Sequence, residues 1–323
     1  MTFVLRCLVL ALAAFGVAAL VTSVVVAVMW WRRTPSGAAA ARADALLRLR
    51  LLPSGAAALA CLFALTGLWR FESRDVDEVL GWTILASATT GAWLISVFLT
   101  RLWRMRIETR RLLTSWLADA TPLSVPGVTV PAFRIDSGFP VVAVVGIFRP
   151  TLVVDATVLD GCSTDELRAI LAHEQGHLRR WDNLRRALFA AAPDPLSYTA
   201  TGVRLRDDWR VATEEAADDV AADRGEDVRA HLASALLRVA RLAPRATEHA
   251  SVVFHGAQLP ASALYRGDSV EGRVRRLIDA APAAAGRASR GLSLGLTTAM
   301  VTLALAFQRD IHDMMEVVIA LLP

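Results

Sequence analysis

The chain has 323 residues, and hydrophobic residues make up 54% of it, gathered in long uncharged runs. Runs of this kind are typical of membrane proteins rather than of soluble domains. The net charge of +4 and the pI near 9.6 would suit a nucleic-acid-binding protein. However, the arginines cluster beside the apolar runs, where they indicate membrane topology, so no direct binding of nucleic acid is expected.

Four apolar runs are long enough to cross a bilayer as helices. They cover about residues 8–31, 51–69, 79–99 and 291–307. The first run could instead be a signal peptide, but it is longer than the apolar part of such a peptide and lacks a cleavage site at its end. We interpret it as a retained anchor. Buried helices of a soluble domain are the weaker alternative, because the runs carry charge only at their ends.

Arginine is concentrated on one side of these runs. The stretches 32–50 and 101–111 and the residues just before the fourth run are rich in arginine, whereas the loop 70–78 is mainly acidic. By the positive-inside rule, residues 32–50 and 101–290 are cytoplasmic and both termini are external. The predicted location is a cell membrane, which the chain crosses several times, and the lipid bilayer is an expected partner.

Between the third and fourth runs lies the one stretch expected to form a globular domain. Short β-branched runs at 128–130, 141–145 and 151–154 predict a small antiparallel sheet. The capping box Ser163-Thr-Asp-Glu166 begins an amphipathic helix that the apolar pattern continues to Arg186. Further helices are predicted at about 196–222, 227–242 and 270–279, followed by a linker at 280–290.

The predicted fold class is a mainly α membrane protein with four transmembrane helices and a cytoplasmic α+β domain. Three transmembrane helices fall in residues 1–103, and the globular domain occupies 104–290. The fourth helix and a short external tail occupy 291–323.

The helix that follows the capping box carries the motif His173-Glu174-Gln175-Gly176-His177. Two histidines four residues apart share one helical face, so both imidazoles can bind the same ion, and Glu174 can reach a water on that ion. This is the H-E-x-x-H arrangement of zinc hydrolases. A chance match on a surface helix is less favoured, because the preceding apolar residues indicate a buried face, where these polar groups without a metal would be costly to desolvate.

A catalytic zinc site needs a third protein ligand. Arg180 and Asn183 stand where a metzincin would continue its motif, so that class is excluded. Gluzincins take the ligand from a Glu on a later helix, and the candidate segment is Glu214-Glu215-Ala-Ala-Asp218-Asp219. A Glu four residues before an Asp could bind zinc while the Asp orients a histidine. Spacing leaves two registers open: Glu214 with Asp218, or Glu215 with Asp219. Without the histidine motif, a solvated acidic helix surface would be the better interpretation of this segment.

In these motifs the sequence resembles the BlaR/MecR-type membrane-embedded gluzincin peptidases. The matching residues are Gly146-Ile-Phe-Arg-Pro150-Thr-Leu-Val-Val154, Asp165-Glu-Leu, the histidine motif, Asp182, and Glu214-x-x-Ala217-Asp218, with Ala where the family has Cys. The resemblance favours the register with Glu214. Only about fifteen residues follow the fourth run, and the chain has no lysine for a Ser-x-x-Lys site. We therefore expect a short form without the family's penicillin-binding sensor.

The resemblance implies a zinc metalloendopeptidase that cleaves a protein on the cytoplasmic side, such as a transcriptional repressor. One zinc ion would lie on His173, His177 and Glu214, and Glu174 would act as general acid and base. Asp218 and Asp182 would support the ligands from behind.

Two further elements of the site are expected. The run 141–145, through Val141, Ala143 and Val145, or the run 151–154 could offer an edge strand on which an extended substrate adds as a further strand. Arg273 begins Arg273-Val-Arg-Arg-Leu277, which resembles the R-I-x-x-L of related membrane proteases, and is a candidate oxyanion donor. Tyr265 and His255 are other candidates, and a structural role is the favoured interpretation for each of the three residues.

Two other functions fit parts of the pattern. Quality-control or prenyl-protein proteases of the HtpX or CAAX type share H-E-x-x-H and E-x-x-A-D, but three runs before the motif, rather than two, argue against them. A non-catalytic receptor or scaffold with a structural metal is the second alternative. The intact Glu174 argues against it, because a structural site would not need that residue.

Overall fold

A computed structural model of the protein describes residues 2–32, 37–71, 80–125, 127–242, 261–263 and 270–279. The described chain is mostly helical and contains a small mixed sheet. Three helices are long and apolar enough to cross a membrane. They are α1 (Phe3–Arg32), α2 (Ala39–Phe71) and α3 (Trp82–Leu117). The predicted fourth run at 291–307, the linker at 280–290, the C-terminal tail and the candidate residues His255 and Tyr265 lie outside the described residues.

The three long helices pack as a bundle in which α1 contacts both α2 and α3. Glycine allows α1 and α3 to approach closely: a Cβ atom on Gly91 would lie 2.1 Å from the carbonyl oxygen of Leu12. A Cβ on Gly16 would lie 2.4 Å from the carbonyl oxygen of Ser87. Close contact at small residues is how helices associate in a bilayer, where apolar burial alone gives little attraction.

The sheet of the globular domain has five described strands in the order β1-β2-β4-β3-β5. They are β1 (Thr121–Pro122), β2 (Ala132–Ile135), β3 (Val142–Val145), β4 (Thr151–Asp155) and β5 (Ala261–Ala263). The prediction of an antiparallel sheet is wrong, because β2 and β4 run parallel while the other neighbours are antiparallel. The β3–β4 hairpin inserts its second strand beside β2, and β-branched runs do not specify which strands become neighbours.

The prediction that the run 141–145 forms an edge strand is also wrong. Strand β3 sits between β4 and β5, with Ala143 opposite Ala263 and Val145 opposite Ala261, so neither residue is on a free edge. Val141 precedes the strand, and its carbonyl oxygen accepts a hydrogen bond from Asp155 N at 2.8 Å. All four residues of β3 are buried, as expected for an interior strand covered on both faces.

The remaining elements of the domain are helical. They are α4 (Ala156–Gly161), α5 (Thr164–Arg180), α6 (Asp182–Ala191), a 3₁₀ helix (Pro195–Tyr198), α7 (Ala200–Ala222), α8 (Glu226–Leu242) and α9 (Val270–Asp279). The predicted capping box is present at Ser163 and Glu166. The single helix predicted as far as Arg186 is instead two helices, because Trp181 adopts the left-handed conformation with φ 56° and turns the chain between α5 and α6.

The main core lies between one face of the sheet and helices α5, α8 and α9. Sheet residues such as Val144 and Leu152 contact Ile170 of α5 and Leu236 of α8 within this cluster. Burying that face of α5 against the sheet turns the histidine face of the helix toward α7, and this arrangement sets up the site.

Candidate metal centre

The two histidines of the motif lie side by side on α5. His173 is completely buried, His177 is 2% exposed, and their Nε2 atoms are 3.2 Å apart. Both rings therefore present the same nitrogen to one point, as the four-residue spacing predicts.

Glu214 of α7 completes a group of three. Its Oε2 atom lies 3.5 Å from Nε2 of His173 and 3.7 Å from Nε2 of His177. Zinc bonds of about 2.0–2.1 Å at tetrahedral angles place ligand atoms about 3.4 Å apart. Within the described ranges, this buried Oε2 has no hydrogen-bond partner, although unsatisfied buried carboxylate oxygens are costly. The three ligand atoms, which all lie within 4.8 Å of one another, thus fit a zinc ion.

Small residues allow α7 to reach α5. A Cβ atom on Gly176, between the histidines, would lie 3.2 Å from Cα and 3.3 Å from the carbonyl oxygen of Ala217. The helices therefore touch at Gly176 and Ala217, one turn beyond Glu214. The two acids of the alternative register, Glu215 and Asp219, have other partners. Glu215 pairs with Arg42 of α2, and Asp219 pairs with Arg276 of α9.

Each histidine is held from behind by a buried aspartate. Asp218 Oδ1 lies 2.8 Å from Nδ1 of His173, and Asp182 Oδ2 lies 2.8 Å from Nδ1 of His177. Both aspartates are fully buried. A carboxylate that accepts the Nδ1 hydrogen leaves Nε2 as the metal-binding nitrogen and fixes the orientation of the ring.

Arg273 lies at the site, but its contacts differ from those of an oxyanion donor. Its Nε and one terminal nitrogen donate to the two oxygens of Asp218, at 2.9 and 2.6 Å. Its other terminal nitrogen lies 3.5 Å from Glu214 Oε2. The guanidinium is 4% exposed and is directed at the carboxylates that support and form the ligand set. These contacts favour a positioning role for Arg273.

Two polar residues near the ligands were not singled out by the sequence. Arg186 donates to Oε1 of Glu214 at 2.9 Å, which leaves Oε2 toward the histidines. Asn183 donates from Nδ2 to the carbonyl oxygens of Val144 and Gly146, at 3.0 and 2.9 Å, and thereby ties the end of β3 to α6. The sequence signal for Arg186 was its position one helical turn after Asp182, on the same face of α6.

The charges of the site act strongly on its ionisable groups. Burial would lower the pKa of His177, but Glu214 and Asp182 outweigh it and raise that pKa to about 9. Burial would raise the pKa of Glu214, yet the neighbouring His177, His173 and Arg273 hold it well below its usual value. Without metal, the imidazole of His177 is therefore protonated at neutral pH, and a metal ion must displace that proton.

Glu174 is 1% exposed and follows His173 directly. A cleft opens beside His177, between the β3–β4 turn and the corner where α5 meets α6. The cleft is lined by Gly146, Ile147, Phe148, Leu178, Trp181 and Leu184, among others. Of the motif residues, only His177 lines this cleft. A carboxylate buried beside two imidazoles that could hold a metal is suited to proton transfer during hydrolysis.

Residues 143–245 match the model of peptidase family M48. The match begins in β3 and contains Glu174 together with the group His173, His177 and Glu214. No curated protein sequence matches the chain. The match to M48, the three-residue group and the three membrane-length helices suggest a membrane metalloprotease. M48 metallopeptidases are typically zinc-dependent. The finer assignment to BlaR/MecR-type peptidases stays a prediction.

Proposed function

We propose that the chain is an integral-membrane zinc metalloendopeptidase that hydrolyses peptide bonds on the cytoplasmic side of the membrane. The observation that carries the proposal is the convergence of His173 Nε2, His177 Nε2 and Glu214 Oε2 beside Glu174. The match to peptidase family M48 spans these residues. The cytoplasmic location rests on the distribution of arginine around the apolar runs.

The protein side chains would divide the work as follows. His173, His177 and Glu214 would hold zinc, which when bound lowers the pKa of water toward neutrality and polarises the scissile carbonyl. Asp182 and Asp218 keep the Nδ1 hydrogens of the histidines engaged, so that Nε2 is free to bind metal.

Glu174 is the group proposed to move the proton. Its carboxylate removes a proton from the attacking water and delivers it to the leaving amine as the peptide bond breaks. Its burial beside the ligands keeps bulk water from competing for that proton.

The proposed role is regulatory proteolysis of a cytoplasmic or membrane protein such as a transcriptional repressor. Its support is the resemblance of the motifs, including Asp182 and Glu214-x-x-Ala217-Asp218, to the BlaR/MecR-type peptidases. A protease for protein quality control or prenyl-protein processing is the second candidate. It is favoured by Ala217, which gives E-x-x-A-D and lies in contact distance of Gly176.

A trap variant tests the function and separates the candidates. Proteins that accumulate uncleaved with Glu174→Ala are compared with wild type, with Glu226→Ala as a control because that exposed side chain lies at the start of α8. Accumulation of one regulator supports regulatory proteolysis, and accumulation of many membrane proteins supports quality control. Equal proteomes for wild type and Glu174→Ala would contradict a protease and leave the non-catalytic scaffold.

A further inference from the structure

The boundary of the apolar zone can be located on α2 and α3. Residues 51–69 and 82–100 contain no charged side chain, and Arg50 and Arg101 are the first charges at their domain-side ends. Both guanidinium groups donate to Oγ of Ser197, at 2.7 and 3.1 Å. Because arginine marks the edge of the hydrocarbon region, the 3₁₀ helix that contains Ser197 lies at the membrane boundary.

Tyr198 extends from this 3₁₀ helix along the membrane side of α3. Its ring centroid lies 5.7 Å from that of Trp93, and its hydroxyl accepts from Arg101 at 3.2 Å. Trp93 precedes Arg101 by eight residues, or about 12 Å along a helix. The Tyr198 ring therefore spans from the arginine level toward the lipid, as aromatic residues of a membrane interface do.

The turn between β3 and β4 lies at the same level. Ile147 packs in a cluster with Phe98 and Met105, which flank Arg101 on α3 by less than two helical turns. The next residue in the turn, Phe148, has 83% of its surface exposed. A single exposed apolar side chain is common on protein surfaces, but a group of them beside the membrane boundary is typical of an interaction site.

Trp181 adds an exposed ring to the same region. It lines the cleft together with Phe148, is 59% exposed, and has φ 56°. A bulky residue in the left-handed conformation costs about 1–2 kcal/mol, and glycine or asparagine is usual at such a corner. Leu188 of α6, the helix that follows Trp181 and contacts α3, is also exposed. Trp181 thus adopts a backbone conformation that is unfavourable for a bulky residue, which indicates a functional reason for a large aromatic ring at this corner.

We propose that Phe148, Trp181, Leu188 and Tyr198, here called the apolar rim, contact lipid at the headgroup–acyl boundary of the domain-side leaflet. Continuity with the spans supports lipid as the partner, since Tyr198 and Ile147 already touch α3 around Arg101. Two exposed arginines next to the rim in sequence, Arg149 and Arg179, suit anionic headgroups.

The rim places the cleft beside His177 at the bilayer surface. Phe148 and Trp181 line that cleft and belong to the rim, so lipid contact fixes the cleft mouth at the membrane. His177 is the member of the ligand group that lines this cleft. If the proposed proteolysis holds, we infer from this contact that the substrates are peptide segments at or just outside the membrane surface. The lipid contact itself rests on the fold and the spans, and it does not require the site to be a protease.

Fluorescence quenching in lipid tests the contact. In the full chain with Cys7, Cys61 and Cys162 replaced by serine, Phe148→Cys carries an environment-sensitive dye, and Glu226→Cys carries it in the control. The control site is an exposed side chain of α8, which packs on α5, α7 and α9. Both proteins are placed in nanodiscs of phosphatidylcholine and phosphatidylglycerol, and circular dichroism verifies that each retains its helices.

The dye at position 148 should emit at shorter wavelength and be quenched several-fold more by lipid with a headgroup-level nitroxide than the control dye. Iodide in the water should give the reverse order, because interfacial groups lie about 5–10 Å into the headgroup and acyl boundary. Equal iodide quenching at both positions would overturn the proposal in favour of a water-facing surface. Protection of position 148 from both quenchers would overturn it in favour of a protein cover. A failed protease assay would leave this measurement unaffected.

Discussion

Arg273 of α9 donates hydrogen bonds to both carboxylate oxygens of Asp218, at 2.9 and 2.6 Å, and Asp218 Oδ1 lies 2.8 Å from Nδ1 of His173. The three residues form a buried chain from a cation to a candidate metal ligand. A bidentate guanidinium–carboxylate pair is among the stronger hydrogen-bonded arrangements in proteins. It fixes the aspartate, and through it the imidazole, before any metal arrives.

The contacts from Arg273 through Asp218 to His173 predict a large effect for Arg273→Ala. Removing Arg273 leaves the buried carboxylate of Asp218 with its contact to His173 but without its cationic partner, so we expect a loss of about 3–5 kcal/mol in the free energy of unfolding. The matched control is Arg275→Ala on the same helix, whose exposed pair with Glu271 should contribute less than about 1 kcal/mol. Thermal unfolding in detergent gives the comparison.

A second substitution, Arg273→Lys, separates two roles for Arg273. A positioning residue should lose zinc affinity together with activity, whereas an oxyanion donor should lose kcat while zinc binding is retained. Zinc content after dialysis and kcat on a cleavable peptide are measured on Arg273→Lys, which keeps the charge but not the two-point contact. Full zinc content with a reduced kcat would favour the oxyanion role.

Substitutions at three neighbouring acids should give three different results. Glu214→Ala should abolish stoichiometric zinc binding, because it removes a ligand. Glu174→Ala should retain zinc but lose peptide hydrolysis, since only the proton acceptor is removed. Glu215→Ala should retain zinc, because that side chain pairs with Arg42 of α2. Elemental analysis gives the zinc content per chain for all three variants, and a peptide-cleavage assay separates Glu174→Ala from Glu215→Ala. Metal loss in Glu215→Ala would place the ligand one residue later.

The sequence predicted the local part of the site better than its long-range part. The spacing of His173 and His177 is fixed by one helix, so their shared face followed directly. The position of Glu214 beside the histidines depends on the packing of α7 on α5 at Gly176 and Ala217. Spacing along the sequence could not distinguish Glu214 from Glu215 as the third ligand. The break at Trp181 was missed because a tryptophan gives no signal for a left-handed corner.

The sheet shows the same limit. The β-branched runs predicted strands near β2, β3 and β4, but pairing between strands depends on contacts far apart in sequence. The parallel pairing of β2 with β4, and the place of β3 beside β5, therefore could not be derived from the runs themselves.

Replacing the aspartate behind His177 should weaken metal binding without removing a ligand. Asp182→Asn keeps the size of the side chain but replaces a charged acceptor of the Nδ1 hydrogen, so we expect a loss of about 10- to 100-fold in zinc affinity. Asp160→Asn, at an exposed residue of α4, is the control. Competition with a zinc chelator measures the affinity, and an unchanged value would show that Asp182 does not orient the ring.

Zinc binding should also depend on pH in a definite direction. In the metal-free protein the pKa of His177 is raised to about 9 by Glu214 and Asp182 against the opposing effect of burial. Below that pH the imidazole carries a proton that zinc must displace, and the pKa of His173 is also raised, against the effect of burial, by Asp218 and Glu214. Affinity should therefore rise with pH toward a plateau near or above 9. Each site that loses one proton on binding contributes about a tenfold change in affinity per pH unit in this range. Chelator competition between pH 6 and pH 9 measures the slope, and a flat profile would mean that His177 is already neutral in the metal-free site. Asp182→Asn should shift the plateau to lower pH, because the variant loses one of the carboxylates that hold the proton on the ring.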